Sequence, residues 1–173
     1  RQILIHKAVT RGLNLDVPVK PSGVDWIGDI PEHWDIIPIR RIIDVKDGTH
    51  DTPEYIDKSK PNATPLVTSK DFKDDGTIDF SEVKYISKLD HLKISKRSLV
   101  ERHDLLMSMI GGNIGKSVIA NDKEFSIKNV ALFKCTGNIY TAKHILYYIQ
   151  AGFLKIQVDI ITRGGAQSFL GLV

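Results

Sequence analysis

The chain has 173 residues, of which 42% are hydrophobic and 26% charged, with a formal net charge of +3, enough apolar material for one globular domain. No apolar run approaches the roughly 18 residues of a membrane span, and the first residues lack the charged, apolar, small-residue order of a signal peptide, so a cytoplasmic setting without membrane contact is the expectation. Cys135 stands alone, which excludes an internal disulfide, and its place in V-A-L-F-K-C reads as a strand end rather than a nucleophile.

In chain order, Arg1 to Leu13 places Leu4, Ile5, Ala8 and Val9 at helical spacing, with Gly12 as C-cap. So short a helix is marginal alone, and with no initiating methionine the chain reads as a fragment of a longer protein. Pro18, Pro21, Ser22 and Gly23 mark a linker over residues 14–25. Trp26 to Trp34, W-I-G-D-I-P-E-H-W, then sets two large aromatics around a proline turn, an anchor against a core. Isoleucines 36, 37, 39, 42 and 43 with Val45 read as one or two short apolar elements broken by Pro38.

Asp47 to Tyr55, D-G-T-H-D-T-P-E-Y, is a polar, turn-rich loop. Leu66-Val67-Thr68 is a short strand ending in Ser69-Lys70-Asp71, Thr77 to Ile86 alternates as a half-buried strand, and Ser87 to Arg97 reads as a helix with Leu89, Leu92 and Lys93 on one side. Leu105 to Ala120, L-L-M-S-M-I-G-G-N-I-G-K-S-V-I-A, reads as strand, tight loop, strand. Phe125 to Ile127 and Val130 to Phe133 follow as a strand pair. Ala142, Ile145, Leu146, Ile149 and Phe153 predict the best helix of the chain, capped by Asn138 or Thr141, and Ile156, Val158, Ile160 and Ile161 fall at strand-like spacing. A last apolar segment, Phe169 to Val173, simply stops.

Charge is uneven: residues 47–83 carry 4 basic and 9 acidic side chains, residues 84–120 carry 7 and 3, and residues 121–173 carry 6 and 3. The later part suits a polyanion, although a solvated helix face gives the same local excess. Catalytic patterns are weak. G-G-N-I-G-K-S ends like a P-loop, but Ile110 stands where the first glycine is needed. Six scattered histidines form no metal motif. Glu82-Val83-Lys84, preceded by Asp74, Asp75 and Asp79, resembles the Asp/Glu-x-Lys site of a Mg²⁺ nuclease only faintly, since E-x-K is common by chance. Three clusters suit DNA better: the Gly48–Pro53 loop, the Thr68–Lys70 strand end, and the glycine-rich hairpin with Lys116. Short donors and bare backbone N–H groups take phosphates, while Asn113, His50 or a lysine reaches base edges. For each cluster a purely structural turn remains the alternative.

In this order, W-I-G-D-I-P-E-H-W, V-K-D-G-T-H-D-T-P-E-Y, P-L-V-T-S-K-D, K-Y-I-S, D-L-L-M-S-M-I-G-G-N-I-G-K, F-S-I-K-N-V-A-L and R-G-G-A-Q resemble a target recognition domain of the specificity subunit of type I restriction-modification enzymes. The resemblance covers essentially the whole chain and implies an α+β fold, a twisted and mostly antiparallel sheet with packed helices, flanked by truncated spacer helices. Residues 1–13 would be the tail of one spacer helix, 14–25 a linker, 26–163 the recognition domain, and 164–173 the start of the next spacer helix. With a helix before the tryptophan motif, the second recognition domain is implied. The implied function is reading one half of a bipartite sequence in double-stranded DNA, without catalysis or cofactor in this chain. Methylation subunits would bind S-adenosylmethionine, and restriction subunits would use ATP and Mg²⁺. The residues that would face DNA are Thr49, His50, Thr52, Tyr55, Ser69, Lys70, Ser108, Gly111, Gly112, Asn113 and Lys116. An interaction scaffold for methylation subunits and, behind it, a Mg²⁺ nuclease are the alternatives.

Overall fold

A computed structural model describes residues 2–110 and 113–161. Gly111, Gly112, the whole of R-G-G-A-Q and the start of the second spacer helix at 164–173 lie outside the described residues. The first helix, α1 (Gln2–Arg11), ends as its sequence predicts, with Gly12 at φ +75° and its N–H donating to the Ala8 carbonyl. The expected linker is partly a strand. β1 (Val19–Pro21) pairs antiparallel with β2 (Asp29–Pro31), and the prolines are tolerated because a two-stranded ribbon has two open edges. Within the tryptophan motif, the Trp34 ring closes on Gly12, where an added Cβ would lie 3.4 Å from it.

The isoleucine run does not form the expected apolar elements. Pro38 introduces a single 3-10 turn, Ile39–Arg41, and Ile36, Ile37, Ile39 and Ile42 remain exposed, while Ile43 packs against the core. A proline fixes its own φ and supplies no N–H, so the run cannot continue as a strand. The chain then enters β3 (Val45–Asp47), β4 (Tyr55–Ile56), β5 (Thr64–Val67), a 3-10 turn at Ser69–Asp71, and β6 (Lys84–Ile86). Only the end of the strand expected over residues 77–86 forms. The Asp75 and Asp79 carboxylates accept from the backbone N–H groups of Thr77 and Ser81, bending the segment twice.

α2 (Lys88–Ser98) is capped by Ser87, whose Oγ accepts from the Asp90 N–H. Leu89 and Leu92 do share a side, but it faces outward, and the buried residues are His91 and Ser98. β7 (Leu105–Ser108) and β8 (Ser117–Ile119) form the predicted antiparallel hairpin. β9 (Ser126–Ile127) and β10 (Val130–Phe133) are strands as predicted but do not pair with each other; they belong to different sheets. α3 (Ile139–Gln150) starts at Asn138, whose Oδ1 accepts from the N–H groups of Tyr140 and Thr141. After Gly152, at φ +93°, the segment expected as a strand is instead α4 (Phe153–Ile161), which buries Phe153 and Val158. Four apolar residues at spacings near two are compatible with either structure, and packing decides.

The protein is α+β, with two four-stranded sheets in place of the single sheet expected. The first, in order β3-β10-β7-β8, is antiparallel throughout. The second, β4-β6-β5-β9, is antiparallel except for the parallel pair β5 and β9. Strand alternation gives the first sheet two buried faces. Leu106, Val118, Val130 and Leu132 meet Val67, Phe72, Val83 and Ile127 in one core, whereas Leu105, Met107, Ala131 and Phe133 meet Ala142 and Ile145 of α3 in the other. Residues 127–130 are the covalent crossover between the sheets.

Candidate nucleic-acid interface

The crossover organises the surface of interest. The N–H of Gly48 donates to the Val130 carbonyl at 2.9 Å, and that of Thr49 to the Ile127 carbonyl at 3.0 Å. Asn129 returns a bond from its N–H to the Thr49 carbonyl at 3.0 Å, and Lys128 donates to the Val67 carbonyl at 2.9 Å. Val130 stands opposite Ser108, the last residue of β7 before the glycine-rich turn. Three segments distant in sequence, the Gly48–Pro53 loop, the end of β5 leading to Ser69-Lys70, and the base of the β7–β8 hairpin, are thereby tied to four consecutive residues.

Gly48 has a steric reason to be glycine. Its φ lies outside the left-handed region, but an added Cβ would sit 2.7 Å from the Ile127 carbonyl oxygen, well inside contact distance. Its neighbour loop is held by side chains. His50 Nδ1 meets Asn129 Oδ1 at 3.0 Å, and Lys128 Nζ donates to Thr52 Oγ1. Since a carboxamide oxygen only accepts, the proton between His50 and Asn129 belongs to the ring nitrogen. The other ring nitrogen faces Asp47 Oδ2 at 3.8 Å, and Arg97 from α2 approaches the same oxygen at 3.6 Å.

Other candidates are placed less uniformly. Ser69 and Lys70 occupy the 3-10 turn after β5, where Asp71 accepts from the N–H and hydroxyl of Thr68, and Lys70 is exposed. Asn113 is exposed, and Lys116 is partly buried with its Nζ 2.8 Å from the almost fully exposed Asp74. Ser108 is sealed inside, its Oγ buried and without a hydrogen-bond partner among the described residues, so it underlies the surface rather than forming it. Tyr55 is exposed on β4, the edge strand opposite β9, three strand spacings or about 14 Å from the crossover. The structure thus brings Thr49, His50 and Thr52 together with Lys128 and Asn129, leaves Tyr55 apart, and buries Ser108 beneath them.

No known family model matches the chain, and no curated protein matches it. The surface combines donors of several reaches. Lys128, Arg97 and the exposed Lys70 supply positive charge, Thr49 and Thr52 short hydroxyls, and Asn129 and His50 groups able to read a base edge. Lys128, Asn129 and Arg97 were not among the residues that sequence reasoning selected. Lys128-Asn129 looks like a hairpin turn between two apolar runs; the available signal was that an asparagine tolerating positive φ stood beside a lysine in an otherwise apolar stretch.

Alternative chemistries find less support in the geometry. The residues after Gly-Lys, Ser117–Ile119, form a strand and not the helix whose N-terminus a P-loop requires. Asp75 and Asp79 are engaged by Thr77 and Ser81, which lowers the pKa of each below the ordinary carboxylate value, and Glu82 is exposed. Ser126, His91 and Glu124 stand in the order of a nucleophile relay, with Ser126 Oγ 2.9 Å from His91 Nδ1 and Glu124 Oε1 3.2 Å from His91 Nε2. Ser126 and His91 are nevertheless buried, so a substrate carbonyl cannot reach the hydroxyl, and the three groups join α2 to β9. Burial lowers the His91 pKa and favours the neutral ring, while the hydrogen bond from Lys88 lowers that of Glu124. Cys135 is buried behind β10, which raises the pKa of its thiol.

Proposed function

We propose that this chain is a DNA-reading module that recognises one half of a bipartite target, as the resemblance to the type I specificity subunits implies, and that it carries no catalysis of its own. One observation carries the reading: of the motifs on which the resemblance rests, V-K-D-G-T-H-D, P-L-V-T-S-K-D, the glycine-rich hairpin and F-S-I-K-N-V-A-L are the four whose strands meet at residues 127–130. Loops held by a rigid scaffold and rich in donors are the usual place for recognition. Methyl transfer from S-adenosylmethionine and ATP-driven, Mg²⁺-dependent cleavage belong, on this reading, to methylation and restriction subunits in a cytoplasmic complex.

The test exchanges residues 26–163 within the intact specificity protein for those of another recognition domain and maps methylated sites in the host genome. A change confined to one half of the methylated sequence supports the reading, and an unchanged sequence removes it. A scaffold reading has one observation in its favour, the exposed Ile36, Ile37, Ile39 and Ile42 beside Arg40 and Arg41, a surface suited to a protein partner. On that reading Ile39→Ser with Ile42→Ser would abolish capture of methylation subunits while domain exchange leaves the methylated sequence unaltered.

A further inference from the structure

The pairing of His50 with Asn129 narrows what this surface can read. We infer that Asn129 is a specificity-determining residue, that His50 positions it as a donor only, and that it selects guanine; the inference rests on the DNA-reading function proposed above.

The backbone of Asn129 is fixed first. It stands at φ +54°, in the left-handed region, where asparagine is among the few side-chain-bearing residues tolerated, and its N–H is bonded to Thr49 while its neighbour Lys128 is bonded to Val67. The side chain is then fixed by His50 Nδ1–H, which takes the Asn129 carboxamide oxygen at 3.0 Å, 79 residues away in sequence. The other ring nitrogen lies 3.8 Å from Asp47 Oδ2, beyond hydrogen-bond distance, and Arg97 comes within 3.6 Å of the same oxygen. The contact with His50 thus determines which atom of the carboxamide remains free.

An unconstrained asparagine reads adenine with both ends of its amide, accepting from N6–H and donating to N7. Here the oxygen is already engaged, and what remains is the NH₂ with two donors. Guanine presents two adjacent acceptors, O6 and N7, in the major groove, and satisfies such a donor. Adenine offers N7 but also an N6–H group that would lose its water and find no acceptor, cytosine presents a donor, and thymine presents a single acceptor, O4, beside its methyl group, so guanine alone offers an acceptor to each of the two donors. The lysine beside Asn129 is suited to the neighbouring phosphate and contributes position rather than identity.

The experiment selects bound duplexes from a randomised-sequence DNA library with the full-length specificity protein in its methylation complex, in four forms besides the wild type. Asn129→Gly keeps the positive φ and removes the carboxamide, and Asn129→Asp keeps the shape but replaces both donors by an acceptor. His50→Ala frees the carboxamide oxygen, and His50→Asn restores an N–H donor near the place of Nδ1. The wild type should enrich a sequence with a guanine column that Asn129→Gly renders degenerate, weakening the best site roughly tenfold with the salt slope unchanged. Asn129→Asp should reject guanine there. His50→Ala should shift the same column toward adenine, and His50→Asn should return it to guanine, which a merely structural histidine would not do. An Asn129→Gly variant with every column unchanged, with uniformly weaker binding to all sequences, or with a shallower salt slope overturns the role of Asn129 while leaving DNA reading by the other loops intact. A wild-type complex that enriches no sequence overturns the underlying function and this inference with it.

Discussion

Gly48→Ala is the sharpest test of how the surface is built, because two physical effects predict opposite signs. Gly48 does not occupy the left-handed region, so if space were free, alanine would stabilise the protein by about 0.4–1 kcal/mol by restricting the unfolded chain. Space is not free. The new Cβ would stand 2.7 Å from the oxygen, 3.0 Å from the carbon of the Ile127 carbonyl and 3.2 Å from Ile127 Cγ1. Ile127 is fully buried and its strand is paired with β5, so neither backbone can yield without moving a sheet. Overpacking of this kind costs about 1–3 kcal/mol. In the variant the adjoining bonds from Gly48 to Val130 and from Thr49 to Ile127 would be strained as well. Set against the entropic gain, a net loss of about 1–2 kcal/mol lowers Tm by roughly 2–8 °C in a chain of this length. Thermal unfolding followed by circular dichroism reads this directly. A variant as stable as the parent, or more stable, would show that the loop is not seated on the crossover as described.

The remaining predictions use other parts of the molecule. Lys128→Ala should reduce the slope of log binding constant against log salt by about one unit, measured by fluorescence titration on duplex DNA, whereas Lys116→Ala should do so only if its weak, exposed pair with Asp74 opens on binding. His91 is held neutral by burial, so as pH falls through its ordinary value of 6.5 the unfolded chain takes up a proton that the folded chain resists. Chemical denaturation should therefore show stability declining from neutrality toward pH 5.5, and His91→Asn should flatten that slope; an equal slope in the variant would assign it to other groups. The Glu124 pair contributes in a separate window, above pH 4.5, and is lost only on further acidification. Asn138→Ala removes the cap of α3 and should cost about 1 kcal/mol in a denaturant titration.

Elements whose signals are local were legible in the sequence. Ser87 and Asn138 announce the helices they cap, Gly12 ends α1, and two apolar runs around the glycine-rich turn specify the β7–β8 hairpin. Elements decided by distant partners were not. Phe125–Ile127 and Val130–Phe133 have the pattern of a hairpin, yet the first finds β5 some sixty residues earlier and the second lies between β7 and β3, strands that precede it by about twenty-five and about eighty-five residues. Residues 156–161 carry a spacing that two structures share, and burial of Phe153 and Val158 chooses the helix. The candidate site divides in the same way. Thr49, His50 and Thr52 could be selected as a polar loop, but Lys128, Asn129 and Arg97 join them only through tertiary contacts, and Ser108 is withdrawn by the cover of the second sheet.

The crossover also dictates when during synthesis this surface can exist. His50 and Asn129 are 79 residues apart, and Thr52 and Lys128 are 76 apart, so the loop emerges from the ribosome long before either of its anchors. Contacts of such separation form late, after the chain has closed large loops. Until Val130 has been made, Gly48 and Thr49 have no carbonyls to bind, and a nascent or truncated chain ending earlier presents the same polar residues without their arrangement.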